Sequence, residues 1–133
     1  MIVKGNILVT GANRGIGFSF VKHLCLLNTV ERVFAGCRSP ENATDLIKLQ
    51  KTNSKIKIIK LDIQNDLCIQ LAAEQISYEI GENDGINCLI NNAGVLEMSG
   101  SDFEAPNRSA FWRHFDVNTI GAVITTRVSQ ILY

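Results

Sequence analysis

Ile7-Leu8-Val9-Thr10-Gly11-Ala12-Asn13-Arg14-Gly15-Ile16-Gly17 is the stretch that decides the fold of this chain. Asn6 to Val9 is a short apolar run that reads as a strand, and it stops at a turn carrying three glycines in G-x-x-x-G-x-G spacing. Val21, Leu24 and Cys25 then fall on one face of a helix. The spacing is not the G-x-G-x-x-G fingerprint of dinucleotide-binding sheets, yet the physics is shared. Glycine permits a tight turn and a close backbone approach, and a helix N-terminus presents unpaired N–H groups and a positive dipole end to a pyrophosphate. A sharp turn without a ligand is the competing explanation, and three spaced glycines at a first strand–helix junction weigh against it.

Outward from this stretch the alternation repeats. Arg32 to Gly36 is a second β-rich run, stopped by Ser39-Pro40, and Ala43, Leu46 and Ile47 follow at helical spacing. Ile56 to Leu61 reads as a third strand, and Ile69, Ala72, Ala73, Ile76 and Ile80 form the stripe of an amphipathic helix that Gly81 closes. Asn87 to Ile90 is the fourth strand, followed by a polar loop through Pro106 and a long helical stretch from about Arg108 onward. Strands alternating with helices imply a parallel sheet with helices on both faces, a doubly wound α/β fold. Such sheets bind ligands beyond the carboxyl ends of their strands, so the residues after Val9, Gly36, Leu61 and Ile90 are where chemistry is expected.

Composition narrows the function classes. The 133 residues are 46% hydrophobic and 20% charged, with 13 basic against 13 acidic side chains, a balance that fits a single globular domain. Zero formal charge argues against nucleic acid or a membrane surface as partner, since both recruit an excess of Lys and Arg. Apolar runs fall far short of the roughly 20 residues of a membrane span, and the first residues carry no secretory pattern, so a cytoplasmic protein is expected. Cys25, Cys37, Cys68 and Cys88 lie far apart within apolar segments and read as reduced core residues. The Lys48, Lys51, Lys55, Lys57 run reads as a solvated face.

The strand ends carry the remaining signals. After the second strand, where an acid would mark a free ribose 2′-hydroxyl, stands Gly36-Cys37-Arg38-Ser39, and the first acid beyond is Glu41. Arg38 with Arg14 suits a ribose 2′-phosphate through charge-assisted bonds, favouring NADP over NAD, although either arginine alone reads equally as a surface residue. Asp62, after the third strand, is placed to accept a bond from an adenine amino group, or is an N-cap or Asx-turn residue. Asn91-Asn92-Ala93-Gly94, after the fourth, offers two amides and small residues that let a ligand approach the backbone. His23 and His114 lack H-E-x-x-H spacing and an acidic partner, so both read as structural and no metal is expected. Ser99 and Ser101 read as exposed loop serines, and Phe111, Trp112 and Phe115 as either core or an exposed contact.

Taken together, T-G-x-x-x-G-x-G at Thr10 to Gly17, Asp62, N-N-A-G at Asn91 to Gly94 and Asn118 resemble the short-chain dehydrogenase/reductase family over essentially the whole chain. Val9 to Gly17, Phe34 to Arg38 and Asn118-Thr119 resemble the sniffer-type carbonyl reductases and their C-factor relatives. The resemblance implies a Rossmann-like sheet in which residues 1–133 are the NADP-binding half, ending after the fourth strand and its helix. It implies cofactor contacts at Gly11, Asn13, Arg14, Gly15, Ile16, Gly17, Arg38, Asp62, Ile63, Asn91, Asn92, Ala93 and Gly94, and a catalytic role for Asn118.

The activity so implied is NADP(H)-dependent carbonyl reduction, with hydride passing between nicotinamide and a carbonyl carbon while a tyrosine exchanges the proton. That tyrosine belongs to a Tyr-x-x-x-Lys turn in the family, preceded by a serine. Here Tyr78 is followed four residues later by Glu82, and Tyr133 is the last residue. A non-catalytic NADP-binding module and an inactive fragment are therefore the alternatives to an enzyme. The expected partners are a small carbonyl substrate in the complete enzyme and a second subunit packed on the last helix, which commonly carries the subunit contact in the family.

Overall fold

Alternate residues of the central strand face opposite sides of the sheet, and this period of two builds the core. The computed structural model describes residues 2–81 and 84–129, so Glu82 and Tyr133 lie outside the described residues. Strands β1 (Gly5–Thr10), β2 (Val30–Cys37), β3 (Ile56–Lys60) and β4 (Ile86–Ile90) form one parallel sheet in the order β3-β2-β1-β4. Helices α1 (Gly15–Leu24), α2 (Thr44–Thr52) and α3 (Asp66–Ile80) connect them. Ile7 and Val9 of β1 pack with Val33 and Ala35 of β2 under Val21, Leu24 and Leu46 of α1 and α2. Leu8 and Phe34 point the other way, against Ile69, Ala72 and Ile76 of α3. Two apolar layers on one sheet make the fold doubly wound, as the alternation of the sequence requires.

The four strands begin and end within two residues of the positions read from the sequence, α3 begins three residues before the first position of its apolar stripe, and two features are additional. Pro40–Asn42 is a single 3-10 turn before α2. The long last helix is three pieces: α4 (Arg108–Phe115), a π-helix (Asp116–Gly121) and α5 (Ala122–Ser129). The extra residue of a π turn leaves the apolar spacing on either side close to helical, so hydrophobic period alone does not expose it. Gly81 caps α3 with φ +90°, and Asn65 caps its start by accepting from the Cys68 N–H at 2.9 Å. Cys25 and Cys37 are buried and Cys68 and Cys88 half-buried, all four with free thiols. In the lysine run, Lys48 and Lys57 pair with Asp45 and Glu79, and Lys55 donates to the Leu27 carbonyl. Among the described residues no helix is long and apolar enough to cross a membrane.

Register sets where the site lies. Thr10 pairs with Gly36, Val9 with Ile90, and Cys37 with Lys60, so the four strands finish side by side and their following loops share one edge of the sheet. The opposite edge is closed by a polar network on Asn6, which is fully buried. Its amide donates to Asp84 Oδ2 at 2.9 Å and to the Gly85 carbonyl at 3.0 Å, and its Oδ1 accepts from Arg32 at 3.2 Å. The Asn6 N–H donates to Asn87 Oδ1 at 2.7 Å. Satisfied on every side, this amide fixes the starts of β1, β2 and β4 relative to one another.

Replacing Asn6 by Ala removes three of these bonds at once, and we expect a loss of about 1–3 kcal/mol of stability. Urea unfolding of the two proteins measures it; coincident midpoints would show that the network contributes nothing to stability.

Candidate functional site

The four loops at the carboxyl edge enclose one cleft of about 550 Å3, within the size range of small-molecule sites. Gly11, Asn13, Arg14, Gly15 and Ile16 line it from the β1–α1 loop, and Cys37, Arg38 and Ser39 from the end of β2. Leu61, Asp62, Ile63 and Gln64 follow β3, Asn92, Ala93, Gly94 and Val95 follow β4, and Val117 reaches it from the π-helix. Eleven of the fourteen residues proposed from the sequence thus line one cavity. Gly17, Asn91 and Asn118 do not.

The hydroxyl of Thr10 organises the junction of two of these loops. It is buried, and its Oγ1 accepts from the N–H groups of Asn92 at 3.0 Å and Ala93 at 2.9 Å. The Asn92 amide answers by donating to the carbonyls of Thr10 at 2.9 Å and Gly11 at 3.2 Å. The crossing is tight enough to demand glycine. Gly11 has φ +65°, and a Cβ there would lie 2.8 Å from the Ala93 Cα. A Cβ on Gly17 would lie 2.3 Å from the Gly11 oxygen, so this third glycine serves helix–loop packing rather than contact with the cleft. Asn92 is both a lining residue and a clamp.

The glycine loop leaves an anion-binding geometry. Arg14 stands at the N-cap of α1 in extended conformation, no side chain caps the helix, and its first turn holds no acid. The N–H groups of that turn are therefore free of side-chain acceptors where Gly15 and Ile16 border the cleft. Arg14 and Arg38 are both exposed, and neither forms an ion pair among the described residues. Arg38 follows the buried Cys37, whose thiol is held above its ordinary pKa chiefly by burial and then by the nearby Glu41 carboxylate.

Asp62 makes the Asx turn read from its position and also borders the cleft. Its Oδ1 accepts the Gln64 N–H at 3.1 Å in an Asx turn, while the residue still lines the cleft. Asn118 lies in the π-helix and makes a two-way bridge to Val95: its Oδ1 accepts the Val95 N–H at 2.8 Å, and its Nδ2 donates to the Val95 carbonyl at 2.9 Å. Asn91 instead donates to Thr126 Oγ1 of α5 at 2.9 Å.

Beyond Val95 the loop is held by Glu97. His114 Nε2 accepts the Glu97 N–H at 2.9 Å, which puts the imidazole proton on Nδ1, bonded to the Ala110 carbonyl at 2.8 Å. Arg113 pairs with the Glu97 carboxylate, and the half-buried Ser101 donates to its carbonyl. Ser99 is exposed, and so is the aromatic cluster of α4, with Trp112 at 59% of its surface.

Cys37, Ser39, Leu61, Gln64, Val95 and Val117 line the cleft without having been singled out in the sequence. The first five adjoin predicted strand-end positions, and extending each by one residue would have found all five. Val117 follows no strand but precedes Asn118 in the π-helix, so its signal is that neighbour alone.

A parallel doubly wound sheet whose strand ends surround a glycine loop and an uncapped helix N-terminus has the architecture of the Rossmann-like α/β folds, which place ligands beyond the carboxyl ends of their strands. The family pattern described as short chain dehydrogenase matches residues 5–130, and this chain belongs to that family. A short-chain dehydrogenase/reductase of Talaromyces stipitatus, tropE, is 34% identical over 128 residues, covering 92% of this chain and 46% of that protein. The structure superposes on the NADPH-bound carbonyl reductase from chicken fatty liver with a TM-score of 0.92 at 31% identity, covering 99% of this chain and 49% of that one. On the putative carbonyl reductase Sniffer of Caenorhabditis elegans the TM-score is 0.89 at 34% identity, covering 98% and 54%. The likeness within the family is thus of carbonyl reductase type. The chain spans about half the length of the curated relatives it matches.

Thr10→Val keeps the side-chain volume but removes the acceptor of two N–H groups, and should lower stability by about 2–3 kcal/mol, whereas Thr10→Ser should retain most of it. Equal unfolding midpoints for the two variants would remove the hydroxyl from this role. Cys37, protonated and buried, should alkylate roughly tenfold or more slowly than free cysteine at pH 8. Mass mapping after timed iodoacetamide treatment reads this directly, and labelling at the free-cysteine rate would contradict it.

Proposed function

We propose that this chain forms the NADP(H)-binding part of a carbonyl reductase of the short-chain dehydrogenase family. The observation that carries the reading is that Arg14 and Arg38, neither in an ion pair among the described residues, border the same cleft as the uncapped start of α1, with no acid between the end of β2 and Glu41. A dinucleotide fits this donor set. The α1 N–H groups and Gly11 to Ile16 take the pyrophosphate, Arg14 and Arg38 the ribose 2′-phosphate, and Asp62 and Ile63 border the adenine. Asn92, Ala93, Gly94 and Val95 then flank the nicotinamide end, held in place by Thr10 and Asn118. The bound cofactor supplies the hydride exchanged with a carbonyl carbon of a small substrate.

The residues here bind and orient rather than transfer the proton. Asn118 matches the family's asparagine, and its amide is spent on Val95, so its part is to fix the wall beside the reacting end. No Tyr-x-x-x-Lys occurs in the 133 residues, so the proton relay of the family requires groups outside them. A non-catalytic NADP-binding module is the second reading, favoured by a cleft to which the loops after all four strands of this chain contribute. The exposed Phe111, Trp112 and Phe115 on α4 support a subunit contact through the last helix, and the whole reading is that of a cytoplasmic protein.

Titration with NADPH and NADH, followed by cofactor fluorescence, tests the proposal. NADPH should bind with clear preference, and the Arg14→Ala/Arg38→Ala double variant should reduce the NADPH/NADH affinity ratio roughly tenfold or more. An unchanged ratio would overturn the assignment of the 2′-phosphate to these arginines.

A further inference from the structure

The π-helix touches both walls of the cleft. On one side Asn118 grips Val95 through both atoms of its amide, as described. On the other, Gln64 Nε2 donates to Asp116 Oδ2 at 3.1 Å, across 52 residues of sequence. One turn later Gly121 lies so close to the β3–α3 loop that a Cβ on it would stand 2.5 Å from the Ile63 carbonyl oxygen. Between these contacts the buried Val117 shares a core cluster with Ile63 and itself lines the cleft. A π turn is the local departure that makes this arrangement available, since one extra residue per turn rotates the flanking positions onto different neighbours.

We infer that the π-helix Asp116–Gly121 is a brace, with Asp116 and Gly121 as positioning residues that tie the Asp62–Gln64 loop to the Ala93–Val95 loop. The inference rests on the proposed dinucleotide reading for its ligand, but its structural content is independent of it. Occupancy of the adenine end should then order the wall at the far end. Neither residue touches the cleft; each acts through Gln64 or Ile63 on one side and Asn118 on the other.

The test uses the full chain and the amide of Val95, whose N–H is bonded to Asn118, as a reporter of the far wall. The probe is 2′,5′-ADP, which carries adenine and the 2′-phosphate but no nicotinamide, so it reaches only the near end. Hydrogen exchange read by NMR should slow at Asp62–Gln64 and at Val95 on adding the probe to the unsubstituted protein. In Asp116→Ala the slowing should persist at Asp62–Gln64 and fall at least threefold at Val95, and Asp116→Asn, which keeps an acceptor for Gln64, should restore it. Gly121→Ala, which forces the helix off the Ile63 carbonyl, should abolish the coupling and raise Val95 exchange even without the probe.

Slowing at Val95 that is the same in all four proteins would overturn the brace. Absence of any response at Asp62–Gln64 would instead count against the dinucleotide reading; the brace would then be decided by the ligand-free proteins, where Val95 exchange unchanged by Asp116→Ala and Gly121→Ala overturns it. If Gly121→Ala does not fold, the Asp116 pair decides alone.

Discussion

The Thr10 hydroxyl joins the end of the central strand to the loop after β4, and the shape of the cleft follows from that junction. Two backbone N–H groups, those of Asn92 and Ala93, turn inward where β4 ends and have no strand to pair with. A buried N–H without an acceptor costs more than a typical hydrogen bond returns, so the position needs an oxygen at fixed height above the sheet. Thr10 supplies it from a strand whose register is set on both flanks, by Gly36 on one side and through Val9 and Ile90 on the other. With the two chains so close, the Asn92 amide reaches the Thr10 and Gly11 carbonyls, and only glycine fits at positions 11 and 17.

The electrostatics of the cleft depend on the same packing. The glycine loop is brought down onto Asn92 and enters α1 through Arg14 in extended conformation, so no side chain folds back to cap the helix. The partial positive charge of the helix end therefore faces the cavity rather than being neutralised locally. Arg14 and Arg38 border the same cleft, in a chain whose formal charge is zero overall. Two arginines against the single carboxylate of Asp62 leave the cleft locally positive on a neutral protein, in contrast to the distributed basicity of a polyanion binder. The raised thiol pKa of Cys37 fits this setting, because burial keeps it neutral and adds no negative charge beside the arginines.

What could be read from the sequence follows from how local each feature is. The glycine turn, the strand ends and the doubly wound order depend on neighbours within about a dozen residues, and the periodicities of strand and helix carry them. Asp62 could be read both ways because an Asx turn and a cleft position use different atoms of one side chain. Asn91 and Asn92, adjacent and alike in sequence, separate only in three dimensions: successive residues leave a strand on opposite faces, so one amide meets α5 and the other the glycine loop. The tautomer of His114, the Gln64–Asp116 bond and the role of Val117 join residues far apart along the chain, or lie in a π turn that leaves no mark on hydrophobic spacing.

These contacts also distinguish the walls of the cleft. After β4, the chain is fastened at Asn92 and Ala93 by Thr10, at Val95 by two bonds to Asn118, and at Glu97 by His114 and Arg113. The loop after β3 holds its own Asx turn and meets the π-helix through one solvent-exposed hydrogen bond and the packing of Ile63. That loop also carries local bonds, from the Asn65 N–H to the Asp62 carbonyl at 3.1 Å and from the Asp62 N–H to Cys68 Sγ at 3.3 Å, and its Leu61 and Ile63 are buried. The two walls are thus fixed by different means, the β4 side by hydrogen bonds that span the chain and the β3 side by burial and local turns, and the π-helix is the element that meets both.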